Sequence, residues 1–552
     1  MNAVADAPAA AQIDYQSLRY DYRHHPDQDA AAPAHHPVVI VGAGPVGLAL
    51  AIDLAQRRVP VVLLDNDNKL STGSRAICFA KRSLEIFDRL GCGERMTAKG
   101  VSWKLGRVFL QDAQIYEFDL LPEPGHHRPA FVNLQQFYVE GYLAERAAEL
   151  PGLDIRWSHK VVGVEQHADH TLLTVETPEG TYSLQAGWLA ACDGSRSAVR
   201  QLIGQESKGR VFKDRFLIAD VKMKADFPAE RWFWFDPPFH RNQSVLLHMQ
   251  PDGIWRVDFQ LGWDADPEAE KRPENIIPRV KALLEASPFK DAEFELEWAS
   301  VYTFACQRMD AFRHGRVLFA GDSAHGVSPF GARGANSGVQ DADNLGWKLA
   351  AVVQGEAPEA LLDSYARERE YAADENIRNS TRATDFITPK SDVSRLYRDA
   401  VLQLARRHAF AHSLVNSGRL SVPATLHGST LGTPDVDDFA GRMLPGAVAA
   451  DAPAAAGGWL LDAIGADGRF AALVFGDGAA ADASLRALAE SDVPAAVVRV
   501  PLDEAHALAA QRYDARPGTT YLLRPDQHVC ARWRSPTAAA IRGAHARALA
   551  KS

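Results

Sequence analysis

The sequence predicts an α/β chain in which a parallel-sheet domain is interleaved with a strand-rich α+β domain and followed by a small α/β domain. Three observations carry this. An apolar strand runs into a glycine-rich turn and a helix at residues 38–56. A second unit of strand, acid, glycine turn and helix start occupies residues 315–336. Between them lies a long stretch of short runs that alternate apolar and polar residues, the period of half-buried strands.

Residues 1–36 form an N-terminal extension rich in Ala, His and Asp, with Tyr15, Tyr20 and Tyr22, and read as an extended arm with little core of its own. From Pro37 the order is strand (Val38–Val41), helix (Pro45–Gln56) and strand (Val61–Leu64), the start of a βαβ unit. A helix is expected from Ala80 to Leu90, closed by Gly91. Residues 154–190 read as strands joined by Pro-Glu-Gly turns, and 210–305 as a second strand block. Helices dominate from Ala335 to about Ser417. A Pro/Gly-rich passage near Leu431–Gly446 separates the body, residues 37–430, from a C-terminal α/β domain, residues 435–552. That domain has expected strands at Ala471–Phe475, Ala495–Val500, Thr520–Leu523 and His528–Trp533.

With 552 residues, 46% hydrophobic and 24% charged, the chain has the composition of an ordinary globular protein of two or three domains. Its formal net charge of -10 and lack of a basic run argue against nucleic acid as a partner. The five cysteines, Cys78, Cys92, Cys192, Cys306 and Cys530, are scattered without a Cys-x-x-Cys pair, so free thiols in a reducing compartment are expected and no metal site. The apolar stretch 37–55 contains glycines, Pro45 and Asp53, which reads as strand-turn-helix rather than a membrane span. Met1 to Ala11 lacks the pattern of a secretory signal, and a cytoplasmic location is expected.

Gly42, Gly44 and Gly47 follow the first strand and open the first helix, the context of a dinucleotide fingerprint in a Rossmann-like domain. Glycines there let the backbone approach a pyrophosphate, and the helix start, with Pro45 and Val46, offers amides and a favourable dipole. Asp65 closes the next strand, where a carboxylate can hold a ribose hydroxyl. In the second unit Asp322 ends a strand, where an acid can bind ribityl or ribose hydroxyls. Pro329 and the turn through Gly334, Ala335 and Asn336 then present amides that stabilise negative charge at one edge of a flavin. Asn336 as a plain helix N-cap is the alternative. Two such turns, remote in sequence, imply one long cofactor held at both ends, and FAD has that length. A third strand end, Asp193-Gly194, either touches cofactor or caps the turn after it. His325 reads as structural.

These motifs resemble the single-component FAD-dependent aromatic hydroxylases, flavoprotein monooxygenases of the para-hydroxybenzoate hydroxylase type. The chain is most similar to their larger branch, which includes phenol hydroxylase-like, 3-(3-hydroxyphenyl)propionate and pentachlorophenol enzymes. The resemblance implies a thioredoxin-like C-terminal domain, with the run 521–533 matching its end. It implies that Gly42, Gly44, Gly47 and Asp65 hold the ADP half of FAD, and that Arg75 and Gln136 brace the cofactor. It gives Asp193 a part in FAD and nicotinamide binding, Asp322 the ribityl side, and Pro329 and Gly334 to Asn336 the isoalloxazine. Arg333-Gly-Ala departs from the Gln-Gly-Met of many relatives, which affects side chains and not backbone amides. The C-terminal domain lacks a Cys pair, so it is expected to be structural.

The implied reaction uses NADH or NADPH to reduce the flavin, then O2 to form a flavin hydroperoxide that hydroxylates a small phenolic substrate. Relatives imply a homodimer. His248, inside an apolar strand, and Tyr302 are candidate bases for phenol deprotonation, each set against an ordinary buried role. Trp234, Phe235 and Phe259 are candidate substrate contacts, each set against plain core packing. Removal of a ring nitro or halogen substituent, a non-hydroxylating FAD oxidoreductase and a non-catalytic FAD sensor are the alternatives. The lysine-bearing Trp-rich signature of flavin halogenases is absent from the sequence.

Overall fold

A computed structural model of the chain describes residues 13–73, 76–415, 420, 422–454, 457–465 and 468–551. Apolar β1 (Ala34–Val41) and β2 (Val61–Asp65), connected by α1 (Pro45–Gln56), pair in parallel with Val38 opposite Val61. Strand Leu153–Trp157 continues the sheet beyond β2. On the other side Gly180–Ala191 and Val317–Phe319 continue it, again in parallel. Both faces are covered, so β2 is an unbroken apolar run up to its terminal acid. Helix Gly334–Val353 lies against α1, and Gly346 permits the approach: a Cβ there would stand 2.0 Å from Asp53 Oδ2.

A second sheet of eight strands runs in the order His325–Gly326, Phe294–Met309, Ser207–Met223, Ile254–Leu261, Ser244–Met249, Arg231–Phe235, Leu105–Leu110 and Ala113–Asp119. One face is covered by helix Pro273–Glu285, whose Ile276, Val280 and Leu283 pack into it. The opposite face looks into the molecule. The strand block expected at 210–305 therefore gains two strands from residues 105–119, whose mixed polar sequence concealed them.

The C-terminal sheet has the order Ala495–Val500, Phe470–Phe475, Thr520–Leu523, Val529–Trp533, with Phe470–Phe475 parallel to the first and antiparallel to the third. Helices Ala479–Ser491 and Ala538–Ala548 pack on it. A buried charge cluster fastens this sheet to the body. Arg524 donates to both oxygens of Glu368 at 2.6 and 3.1 Å, Lys348 donates to Glu368 at 2.7 Å, and Arg82 donates to Gln527 at 2.8 Å and to Asp343 at 3.0 Å. Against the burial that would raise it, Arg524 and Lys348 hold the Glu368 carboxyl well below its ordinary range.

The N-terminal arm is tied down by its tyrosines. From residue 13 onward it packs on the body, because Gly141 leaves a slot: a Cβ there would meet the Tyr15 ring at 2.3 Å, and Tyr15 is only 4% exposed. Its hydroxyl donates to Glu145 at 2.5 Å, and Tyr20 stacks on Trp157 at 4.2 Å. Strand β1 also begins earlier than expected, at Ala34. Among the described residues no helix is long and apolar enough to cross a membrane.

Candidate functional site

The three glycine-acid motifs meet at the carboxyl ends of the parallel strands, the place where open α/β sheets bind ligands. Gly42 has φ +105°, and a Cβ on it would stand 2.5 Å from the carbonyl of Cys192 and 2.9 Å from Cα of Asp193. Gly47 is tighter still, since its Cβ would lie 1.9 Å from the Gly42 carbonyl. Val46 fills the angle between the remote motifs. A Cβ on Gly338, in the Gly334–Val353 helix, would meet Val46 at 2.6 Å and Cα of Gly321 at 3.1 Å. The two turns that lie some three hundred residues apart in sequence thus share one contact point.

Buried Asp341 fixes the second turn. It accepts the amide of Gly321 at 2.9 Å, a bond from His325 at 2.6 Å and the guanidinium of Arg369 at 2.6 Å. His325 is buried against Asp341. Ser323 donates to the carbonyl of Ala191 at 2.5 Å, and Arg200 donates to the carbonyl of Ser323 at 2.7 Å. With Gly321 and Ser323 both buried, Asp322 between them is left exposed on the ligand side of the strand ends.

Several features fit a long anionic cofactor. Gly44 is the N-cap of α1, has no side-chain cap, and has no protein atom within 4 Å of an added Cβ. Helix Gly334–Val353 likewise starts without a side-chain cap, so the amides of Gly334, Ala335 and Asn336 open a dipole end toward the same space. Asp193 uses Oδ2 to accept the amide of Val199 at 3.0 Å, while Oδ1 is buried without a partner among the described residues. Both alternatives for this residue therefore have an atom: one oxygen caps the turn and the other is available. Burial pushes its carboxyl up from the ordinary value.

Asp65 ends β2 and accepts the amides of Ala43 at 2.6 Å and Asp67 at 2.8 Å. Burial pushes its carboxyl up, opposed by those two amides. It therefore links the fingerprint turn to the end of β2. Replacing Asp65 by alanine is expected to weaken FAD binding at least about tenfold, the loss of one charge-assisted hydrogen bond; flavin fluorescence on dilution measures it.

Gln136 donates to Ser71 at 3.0 Å and to Glu140 at 2.7 Å and accepts the amide of Ala76 at 3.2 Å. It ties Ser71 to Ala76, and Arg75 lies outside the described residues. Pro329 is exposed, and its carbonyl accepts the amides of Gly331 and Ala332. Asn336 is not an N-cap: it lies in the first turn, accepts the amide of Ala80 at 2.8 Å and donates to the carbonyl of Cys78 at 2.9 Å.

Beside the turn at residues 329–336 is a cavity of about 560 Å³. Tyr116, Phe118, Phe233, Phe235, Phe330 and Phe386 wall it, and the residues from Asn379 to Val415 that reach it roof it with helix. Phe235 is thus a cavity residue. Trp234 and Phe259 are corrections. Successive residues of a strand face opposite sides, and these two lie on the side covered by helix Pro273–Glu285. His248 and Tyr302 are on the cavity side of the sheet but do not line the cavity. Tyr302 stacks on Phe304 at 6.2 Å. His248 is fully buried opposite Arg231, with Nε2 3.7 Å from Asp258 Oδ2 and Nδ1 unpartnered among the described residues. Burial, with Arg231 and Arg256 adding to it, keeps its imidazole neutral, well below the ordinary value.

An open parallel sheet with two remote helix ends converging on one groove, beside an aromatic cavity, defines a two-ended dinucleotide site of the flavoprotein class. Over residues 35–380 the chain matches the FAD binding domain family, and it belongs to that family. It is 31% identical over 371 residues to para-nitrophenol 4-monooxygenase of Pseudomonas sp. (strain WBC-3), 66% of this chain and 89% of that protein. It is 34% identical over 366 residues to 6-methylpretetramide 4-monooxygenase of Streptomyces rimosus, 65% of this chain and 63% of that one. The fold is also that of the flavin-dependent monooxygenase PieE, solved with FAD and substrate, with a TM-score of 0.79 over 94% of this chain and 100% of that one at 22% identity.

Proposed function

We propose that this chain is an NAD(P)H-dependent flavoprotein monooxygenase that hydroxylates a phenolic compound. The convergence of both glycine turns on Val46, next to a cavity walled by aromatic rings, carries this reading. Gly42, Gly44, Gly47 and Asp65 would hold the ADP half of FAD, Asp322 the middle, and the amides of Gly334 to Asn336 the ring system. Bound FAD supplies two-electron chemistry with NAD(P)H and O2, delivering one oxygen atom to an aromatic ring. The protein's part is to orient the ring and exclude water. Phe233, Phe235 and Phe330 stack and shield, and the helical roof closes the far side. His248, opposite Arg231 on the neighbouring strand and off the cavity wall, is a weaker candidate for the base than the cavity residues.

Four-strand order and strand direction support a thioredoxin-like reading of the C-terminal domain, here serving to hold the body together. Five free cysteines support a cytoplasmic location, and the family resemblance supports a homodimer, which light scattering of the eluted protein tests.

Purified protein is expected to be yellow, to consume NADH or NADPH and O2 faster when the right phenol is present, and to form one hydroxylated product per O2 consumed. Nitrite or halide release in the same assay would reveal displacement of a substituent. Flavin that no nicotinamide reduces, with every phenol tried, would sink the reading.

A further inference from the structure

The cavity is larger than one phenolic ring requires. A void of about 150 Å³ accommodates benzene, whereas this one measures about 560 Å³, within the range of sites for drug-sized ligands. Only Phe330 and Arg333 of its lining belong to the turn beside the flavin helix. Most of the wall runs away from that turn, past Asn379 and Ile387 to Tyr397 and Leu414.

One side chain in this aromatic wall is out of character. Arg231 lines the cavity, is 8% exposed, and makes no side-chain hydrogen bond or ion pair among the described residues. No carboxylate among the described residues is bonded to it. On one side the facing residue is Gly106, with no side chain, and on the other neutral His248. The nearby Arg256 takes Asp220 for itself in two bonds of 2.7 Å. Asp258, buried nearby, keeps Oδ1 without a partner among the described residues and acts on both Arg231 and Arg256 through its charge, with no hydrogen bond to Arg231. Burial of an unpaired guanidinium is costly, and a ligand anion is the group that relieves the cost. Arg382, at the exposed rim, adds a second positive charge on the opposite wall, close to Asp385.

We propose that the substrate is an aromatic of more than one ring that carries an oxyanion, and that Arg231 is the residue that reads this charge. This rests on the reading of the cavity as the hydroxylation site. A carboxylate and an ionised phenol share the required chemistry, since each offers an oxygen acceptor to the planar fork of arginine.

The test is calorimetric binding to the FAD-loaded protein. A hydroxynaphthoic acid is compared with its carboxamide, a naphthol is titrated below and above its ionisation, and a single-ring hydroxybenzoic acid is the size control. The two-ring anion is expected to bind about 10- to 100-fold tighter than its neutral isostere and at least about tenfold tighter than the one-ring acid. Preference for acid over amide assigns the carboxylate, and tighter naphthol binding at high pH assigns the phenolate. Arg231→Met is expected to abolish the charge preference and Arg231→Lys to keep part of it. Equal affinity of anion and isostere in both arms, or one-ring binding as tight as two-ring, overturns the proposal. If Arg231→Met does not fold, the wild-type ratios decide. Wild-type protein that holds FAD and reduces faster with phenols, yet ignores charge and size, defeats this inference alone. Protein that never holds FAD defeats the hydroxylase reading instead.

Discussion

Gly47→Ala will produce colourless protein, whereas Gly44→Ala will produce protein of unchanged stability that binds FAD poorly. The two glycines are three residues apart and differ in what a methyl group meets. At Gly47 it would lie 1.9 Å from the Gly42 carbonyl, so α1 must move away from the strand end that it caps. Overpacking of this kind costs about 1–3 kcal/mol, and the displacement carries Val46 away from Gly321 and Gly338. At Gly44 the methyl meets no protein atom within 4 Å, and the backbone is extended, which any residue adopts. Whatever it disturbs there is the ligand. Denaturation of the cofactor-free proteins, paired with FAD titration, separates the effects. Equal FAD affinity of Gly44→Ala and wild type would mean that the pyrophosphate does not lie on this turn.

Glu368→Gln is expected to cost about 3–5 kcal/mol, the loss found when one member of a buried ion pair is removed and the others stay charged. Lys348 and Arg524 both depend on this carboxylate, and Asp526 answers only the second. The pH dependence has a definite sign. The folded carboxyl lies well below its ordinary value of 4.5, so its contribution is complete above that value and fades as pH falls toward the folded one. Wild type should therefore lose stability in acid with a slope that Glu368→Gln lacks. Urea unfolding followed by tryptophan fluorescence reports it, since Trp347 stands beside Arg524 and packs edge-on against Phe470 at 5.9 Å. A variant as stable as wild type near neutral pH would contradict the docking role of the cluster.

The cofactor groove was readable in the sequence because its determinants are local. A glycine turn between an apolar strand and a helix, with an acid at the next strand end, is set by short-range sterics and amide chemistry. Asp341, which fixes the second turn, gave no such signal: it sits inside a helix, and only folding brings Gly321, His325 and Arg369 around it. The substrate side was harder for a related reason. In the run Trp232 to Phe235 both alternating sets are aromatic, so the pattern does not say which set faces the helix and which the cavity. Phe235 went inward and Trp234 outward. Arg231 directly precedes this run, and nothing in the primary structure marks it as buried and unpaired. Tyr116 and Phe118 come from strands whose polar content concealed them. The roof from Asn379 onward reads as ordinary amphipathic helix until its tertiary position is known.

The cavity therefore draws on two separate parts of the chain. Its floor is tied to the sheet and to the turn that carries Phe330 and Arg333. Its ceiling, from Arg382 to Val415, lies past residue 380, where the match to the family model ends. Substitutions in that ceiling are therefore expected to change substrate fit with less effect on FAD retention than substitutions in the floor. For this chain, the helical lining is where directed evolution toward new ring systems should concentrate its libraries.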